Sequence, residues 1–277
     1  MLGERKPLPR DVGDFARLIL VCATYQTTFT VLNYIRGPLL PGIDCKQQTA
    51  EQLCRSAETI LEALRPTDAP STLTNDSLRS SLECHVSLIL MLLYVRLKDV
   101  LTIAKSFKTG NEETAARRRL IQWMQDRSGS DARKAIAHAG ALLAILRRNS
   151  TRGFHEPIVA LLAVLVLWTY NQLSTSSEGG QNHLQSIQSC HHGHGLDHAL
   201  ERGSVIRLDK PASSSELAAW YLGRPGLRPH IQGVGNINRP GAGKGILETG
   251  RRMLQDANVW ALSQGLSLWL GKLISLL

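Results

Sequence analysis

The chain has 277 residues, a formal net charge of +9 and 43% apolar residues, few of which are aromatic. This composition is near the globular norm and allows one large domain or two small ones with a hydrophobic core. The five cysteines are widely spaced and form no Cys-x-x-Cys pair. That spacing excludes a disulfide framework and a paired zinc-ligand set, and it favours reduced thiols in an intracellular compartment. The N-terminal MLGERKPLPRD has mixed charges and is not typical of a signal peptide.

Two apolar segments raise the question of a membrane span. Leu18–Ile35 carries no charge but is interrupted by Thr, Gln and Asn, and Ile158–Trp168 is fully apolar but short. A spanning helix needs about 20 mainly apolar residues. We therefore expect both segments to be buried helices of a globular domain.

Most of the periodic segments repeat at helical spacing, and no run alternates as a strand would. Apolar residues at steps of three and four predict one long helix over 77–105, followed by helices over 111–124 and 130–149. A further helix, 157–173, begins with a Pro at its first turn and is apolar on all sides, so we expect it to be the central buried helix, with Leu162 inside.

Composition changes after residue 173, where Ser, Gly and His predominate. We expect a flexible or partly disordered insert there. Ser213-x-x-Glu216 is a capping box for a short helix, 223–245 is rich in Pro and Gly, and the last helix covers 246–277. Its predicted apolar face is formed by Leu254, Ala257, Ala261, Gly265, Trp269 and Leu273. The pattern predicts an all-α, multi-helix domain with a flexible loop insert, divided as 1–175, 176–204 and 205–277.

The densest set of potential metal ligands lies in the insert, in the stretch CHHGHGLDH. Its thiol and imidazole groups belong to Cys190, His191, His192, His194 and His198. Structural zinc sites pair their thiolates over a short spacer, and no upstream Cys pair is present here. We expect a loop that binds metal only adventitiously, and we assign no metal, cofactor or catalytic residue to the chain.

Other candidate sites also favour structural roles. His138 could be a ligand or a base, but a lone His at the edge of a helix stripe more often hydrogen-bonds a neighbouring helix. GVGNIN and GAGKG, within 233–245, suggest phosphate-binding turns, yet they lack the spacing of a Walker loop and the strand and third glycine of a dinucleotide site. We expect turns between helices.

Part of the positive charge lies in three basic clusters: Arg117-Arg118-Arg119, Arg133-Lys134 and Arg147-Arg148. Such clusters can contact DNA or direct nuclear import. Each lies on a predicted amphipathic helix, so we expect solvated helix faces instead.

Three stretches taken together carry a family resemblance: LECHVSLILMLLYVRLKDVLTIAKSF, ETAARRRLIQWMQDRSGSDARKAIAHAGALLAILRRN and FHEPIVALLAVLVLWTYNQL. In this order they resemble the fungal-specific transcription factor domain, or middle homology region, in the version found in regulators with two-Cys-two-His zinc fingers. The most specific piece is DARKA followed by His138-Ala139-Gly140, where Ala141 replaces a Gln frequent in the family. Leu167-Trp168-x-Tyr170 and Ile206-Arg207-Leu208-Asp209 are similar as well, and the insert between them is variable in the family.

The resemblance implies an all-α regulatory, non-catalytic domain of a nuclear protein that controls RNA polymerase II transcription through protein or effector contacts. Zinc would belong to the fingers of related full-length proteins. No finger is present in this sequence, so we expect contact with DNA only indirectly or through a missing N-terminal finger region. The expected partners are other transcription proteins or a second copy of the chain, and no membrane. A helical enzyme and a membrane-associated helical protein are the alternatives.

Overall fold

The computed structural model describes residues 12–35, 43–66, 76–105, 110–125, 129–148, 153–185, 204–210, 214–256 and 261–277. These ranges contain ten helices and one small sheet, which confirms the all-α fold class. The helices are α1 (Asp14–Ile35), α2 (Ile43–Leu64), α3 (Asp76–Tyr94), α4 (Leu97–Lys105), α5 (Asn111–Gln125), α6 (Ser130–Arg148), α7 (Glu156–Gln185), α8 (Ser214–Tyr221), α9 (Ala242–Asp256) and α10 (Ala261–Ile274). The strands are β1 (Val205–Arg207), β2 (Arg228–Ile231) and β3 (Gly235–Asn236).

The chain forms two compact units, residues 1–93 and 94–277. In the first unit, α1 and α2 pack as a helical hairpin. Within residues 48–64 of α2, the buried positions are Cys54, Ala57, Leu61 and Leu64, a three-four spacing that places them on one side of the helix. The unit also contains α3, in which Leu82, Val86, Ile89 and Leu93 of the predicted apolar stripe are buried.

The predicted burial of Leu18–Ile35 is wrong. This segment lies in α1, where Val21, Thr28, Leu32 and Ile35 are the buried residues. They lie on one side of the helix, and α2 is the helix that packs against α1. The side away from these residues is exposed although it is apolar.

The predicted single helix over 77–105 is interrupted at Val95 and Arg96, between α3 and α4. The Arg96 carbonyl accepts from the N–H groups of Asp99 and Val100, which begins a new helix. Two residues of α5 stabilise the break: the Trp123 indole donates to the Tyr94 carbonyl at 2.6 Å, and Arg119 binds the buried Asp99. These partners are distant in the chain, so the stripe of α3 and α4 gave no local signal of the break.

The second unit is built on α6 and α7, which pack along each other. Most of α6 is buried, and α7 is buried almost continuously from Ala163 to Asn171. Leu162 itself is only half-buried, whereas Val164 and Leu165 are fully enclosed. Helix α9 packs on α7, and α10 packs on α9.

Helix α7 continues to Gln185, twelve residues past the predicted end at 173 and into the predicted insert, 176–204. The last predicted helix is two helices, α9 and α10. Their predicted common face is also wrong in part: Ala261 and Gly265 are exposed, while Ser263 and Ser267 are buried beside Leu270 and Leu273. Because the two serines are polar, the buried face of α10 could not be recognised from the pattern of apolar residues.

The sheet was not predicted. Its order is β1-β2-β3, with β1 parallel to β2 and β3 antiparallel to β2. The strands have three, four and two residues, too few for an alternating pattern to be recognised. The sheet brings the residues that follow the insert, Ile206 and Leu208 among them, into buried positions.

Candidate functional site

The sequence motifs meet around α6 and α7 in the second unit. At the start of α6, Arg133 holds α8: its Nε and Nη2 donate to the Tyr221 carbonyl at 3.2 and 2.9 Å. The Trp220 indole donates in return to the Arg133 carbonyl at 3.3 Å. Burial lowers the pKa of Arg133, which remains charged because guanidinium pKa values lie far above neutrality. The contact fixes the residues after the insert onto the first turn of α6.

The space around this guanidinium leaves no room for side chains. A Cβ at Gly223 would lie 2.7 Å from the Arg133 Nη2, and one at Gly129 would lie 3.2 Å from its Nη1. Both glycines have positive φ, 68° and 72°, a backbone conformation that side chains disfavour. The site therefore depends on two glycines as well as on the arginine.

Lys134 occupies an aromatic environment next to this contact. Its Nζ lies 3.2 Å from the Tyr94 hydroxyl and 4.6 Å from the centroid of the Tyr94 ring. The Tyr221 ring is 5.8 Å from the same ammonium. These distances are typical of a cation–π arrangement, so the predicted solvated role of the Arg133-Lys134 cluster is wrong.

The other two basic clusters likewise contribute inward contacts. Arg119 binds Asp99 with a shortest distance of 2.6 Å, and Arg147 binds Asp209 at 3.2 Å. Their neighbours Arg118 and Arg148 are exposed. These two clusters thus each contain one arginine that stabilises the fold and one that is exposed to solvent.

Asp209, in the Ile-Arg-Leu-Asp motif, is the centre of a buried ionic group. Its carboxylate accepts from Arg207 Nε at 2.9 Å, from Arg147 Nη1 at 3.2 Å and from the Gln232 N–H at 2.7 Å. Burial alone would raise the pKa of Asp209, but the hydrogen bonds from Arg207 and Gln232 outweigh it and hold the pKa below its ordinary value. This group ties β1 and the turn after β2 to the end of α6.

The packing around Gly140 explains why the motif has a glycine at this position. A Cβ there would lie 2.7 Å from the Leu208 Cβ and 2.9 Å from the Leu208 carbonyl oxygen. Helix α6 and the residue after β1 can approach this closely only because position 140 has no side chain. His138 is half-buried on the same helix and has an interaction within the chain, so its predicted bond to a neighbouring helix remains a prediction.

Asn171 follows the Leu-Trp-x-Tyr motif and connects α7 to the Pro/Gly-rich segment. Its amide donates to the carbonyls of Ile237 and Arg239 at 2.7 and 3.0 Å, and the residue is 1% exposed. The first turn of α9 packs against the same region, since a Cβ at Gly243 would meet Asn171, Gln172 and Trp168 within 3.3 Å. Sequence reasoning missed Asn171 and Asp209 as organising residues, although both lie in or directly after a motif.

The two glycine-rich stretches differ in structure. GVGNIN lies in the β2–β3 hairpin, with positive φ at Gly233 and Gly235, which confirms the prediction of a turn in the context of a small sheet. The same prediction is wrong for GAGKG, because residues 242–245 form the first turn of α9. CHHGHGLDH lies outside the described residues, and among those described no group of three His, Cys, Asp or Glu could hold a metal ion.

The arrangement is a mutual lock between α6–α7 and the segment 204–243. Arg133, Gly140 and Arg147 of α6 and Asn171 of α7 each contact that segment, Arg147 through Asp209, and together they fix its path over the two central helices. Such a set of contacts can hold one surface in a defined shape.

The chain is distantly similar to a fungal protein described as a transcription factor, from Gibberella fujikuroi. The two are 22% identical over 206 residues, which is 74% of this chain and 24% of that relative. The matched stretch therefore covers about a quarter of the relative's length. No family model and no solved structure matches the chain. The likeness supports a fungal transcription-factor-like family.

Proposed function

We propose that this chain is a regulatory, non-catalytic domain of a fungal transcription factor, of the middle homology region type, and that it acts in the nucleus through contacts with proteins or a small effector. The observation that carries the proposal is the likeness to a fungal transcription factor over 74% of the chain. Apart from the start of the first stretch, residues 82–93, the motifs that resemble the middle homology region lie in the second unit, where the lock between α6–α7 and 204–243 is found.

The geometry supports this role because the motif residues bind other parts of the same chain. The side chains of Arg133, Asn171 and Asp209 are each bonded to groups of the chain itself. A locked helical body that presents its outer surface suits recognition of a partner, and its stability can be tuned by a partner or effector that binds the locked form. If these three residues formed a catalytic site, we would expect their side chains to point together into a cleft lined by polar groups.

A tethering experiment tests the proposal. The full chain is fused to a heterologous DNA-binding domain in a fungal host, and transcription is measured from a reporter with the matching sites. We expect a change in reporter output relative to the DNA-binding domain alone, and nuclear accumulation of a fluorescent fusion of the chain.

Two variants on α7 make the result specific. Leu165→Asp places a charge at a fully buried position and should abolish the effect, whereas Ile158→Asp changes a position that is 44% exposed and should retain it. A reporter that responds equally to Leu165→Asp, or that never responds to the chain, would contradict a regulatory role of the folded domain.

A further inference from the structure

Helix α1 has two sides with the spacing of a coiled-coil seam. On the side that faces α2, Val21, Thr28, Leu32 and Ile35 are buried. On the other side, exposed residues repeat at steps of four and three; we call them the open seam: Phe15, Ile19, Cys22, Gln26, Phe29 and Asn33. A repeat of this kind keeps one stripe facing a partner helix over several turns.

The open seam and its flanks are apolar to an unusual extent. Exposed fractions range from 37% to 68% for Phe15, Ile19, Leu20, Phe29, Val31 and Tyr34. With full side-chain surfaces of about 150–250 Å² for aromatic residues, the seam residues Phe15, Ile19 and Phe29 leave roughly 300 Å² of apolar surface exposed to water. Leu20, Val31 and Tyr34 lie further around the helix, outside the seam. An exposed patch of about 300 Å² is comparable with the largest patch on a typical monomeric protein, and such patches often mark binding sites.

The other helix of the hairpin differs in its outward face. The exposed positions of α2 include Gln48, Gln52, Arg55, Thr59 and Glu62. Apart from Ile60, which is 46% exposed, α2 presents mainly polar and charged groups to water as a surface helix normally does. The larger apolar face of α1 is therefore a property of that helix and not of the whole hairpin.

The chemistry of the open seam fits a second copy of the same helix in parallel. In a parallel pair each seam residue meets its own counterpart. Gln26 and Asn33 would then each pair amide with amide, donor to acceptor, whereas in an antiparallel pair Asn33 would face Phe15. Positions 18–35 carry no charge, so no like charges would oppose each other. Ile19 is β-branched, and it shares the heptad position of Gln26 and Asn33, where parallel dimers favour such residues.

The polar groups of the open seam distinguish this partner from a membrane. Its apolar side chains supply roughly 300 Å² per copy, and its polar residues add to the roughly 800 Å² per partner that a standard protein interface buries. The helix is long and apolar enough to cross a membrane, but hydrocarbon would leave the exposed amides of Gln26 and Asn33 without partners at a high cost. The Thr24 and Thr30 hydroxyls already bond the carbonyls four residues earlier.

We infer that the open seam of α1 is a dimerisation surface on which two copies of the chain pair their α1 helices in parallel, so that two α1–α2 hairpins form a four-helix arrangement. This inference rests on the first unit and is independent of the transcriptional role. Cys22 lies in the middle of the open seam and is a free, exposed thiol, so it would meet its counterpart across the pair.

The first test is the mass of the full chain in solution by light scattering. We expect twice the 30.5 kDa of one chain, a twofold fall in mass for Ile19→Asp, and no change for the control Gln52→Asp on the polar face of α2. A monomeric wild-type chain, or a dimer that Ile19→Asp leaves intact, overturns the inference. A dimer that Gln52→Asp dissociates also overturns it.

Charged substitutions at Gln26 give a second test, which remains valid if the Ile19→Asp variant folds poorly. Gln26→Glu and Gln26→Lys should each be monomeric because like charges meet across a parallel pair, and an equimolar mixture should recover the dimer mass. Failure of the mixture to associate, with both variants folded by circular dichroism, overturns the parallel pairing.

Crosslinking then fixes the register. Mild oxidation should produce a disulfide dimer of the wild-type chain that Cys22→Ser abolishes. A crosslink that requires Gln26→Cys beside Cys22 indicates an antiparallel pair and overturns the register. Sedimentation of the chain with phosphatidylcholine vesicles, prevented by Ile19→Asp, would identify a membrane surface and overturn the dimer.

Discussion

Helices α1 and α7 are alike in sequence and opposite in environment. Both are long and apolar enough to cross a membrane by length and composition, a test that the core helix of a soluble protein and a signal sequence also pass. Of the apolar window in each, 67% is buried in α7 but 17% in α1. Apolar composition therefore favours burial of a helix face. Whether that face is buried within the chain depends on which other helices pack against it.

The largest expected difference concerns a charge introduced into each helix. Leu165→Asp in α7 removes a fully buried side chain and encloses a carboxylate, at a cost of several kcal/mol, on the order of the stability of the whole unit. We expect loss of cooperative thermal unfolding of the second unit by circular dichroism. Leu162→Asp should cost less because that residue is half-buried.

The matched change on α1 is Ile19→Asp, at a residue that is 53% exposed. At a protein concentration low enough to dissociate the dimer, the variant should keep the helical signal of the wild-type chain and unfold at nearly the same temperature. Equal loss of structure in Ile19→Asp and Leu165→Asp would show that the two helices are both core elements.

A second difference concerns the asparagines of the two helices. Asn171→Leu should destabilise the second unit by about 1–3 kcal/mol, because it leaves the buried carbonyl of Ile237 and the carbonyl of Arg239 without their donor. Asn33→Leu on the exposed side of α1 should change the monomer by less than about 0.5 kcal/mol. Denaturant unfolding of both variants measures the two values, and equal values would refute the assignment of Asn171 as an anchor.

A third prediction sharpens the packing around α7. A Cβ at Gly250 of α9 would lie 2.5 Å from a methyl group of Val164, a fully buried and stiff β-branched residue. Gly250→Ala should therefore destabilise by about 1–3 kcal/mol. The control Gly265→Ala in α10 meets nothing within 4 Å and should stabilise by up to about 1 kcal/mol. Melting temperatures that move in the same direction for both variants would contradict the packing of α9 on α7.

The smallest predicted effect is the acid dependence of the ionic group at the end of α6. The pKa of Asp209 is lower in the folded chain than in the unfolded one. Its stabilisation is present above the unfolded pKa of about 3.9 and is lost as the pH falls through the folded value. Asp209→Asn should cost about 1–2 kcal/mol near neutral pH and much less in acid. An unfolding free energy that differs from wild type by the same amount at all pH values would show that Asp209 acts without its charge.

The sequence predicted most of the helices because their residues repeat locally. The bounds of α5 and α6 and the start of α7 agree within one residue with the ranges predicted from the sequence. The break between α3 and α4 depends on Arg119 and Trp123, more than twenty residues away, and could not be read from the local stripe. Short strands and the serine-lined face of α10 also carry no periodic apolar signal.

The contacts of the candidate site were less predictable than the fold. The motif around Arg133 and Gly140 was recognised, but its partners Tyr221 and Leu208 lie beyond a long insert of variable type. For the same reason the exposure of α1 could not be inferred. Its apolar residues would look the same whether α2 covers one side or a further helix covers the other.

The most direct test of the contrast between α1 and α7 is hydrogen exchange of the full chain at two protein concentrations that bracket the dissociation constant of the dimer. We predict that amides of 14–35 become more protected at the higher concentration, because association stabilises α1, while amides of 156–175 keep the high protection of a core helix at both. Protection of 14–35 that is high and independent of concentration would contradict the account, and so would weak protection of 156–175.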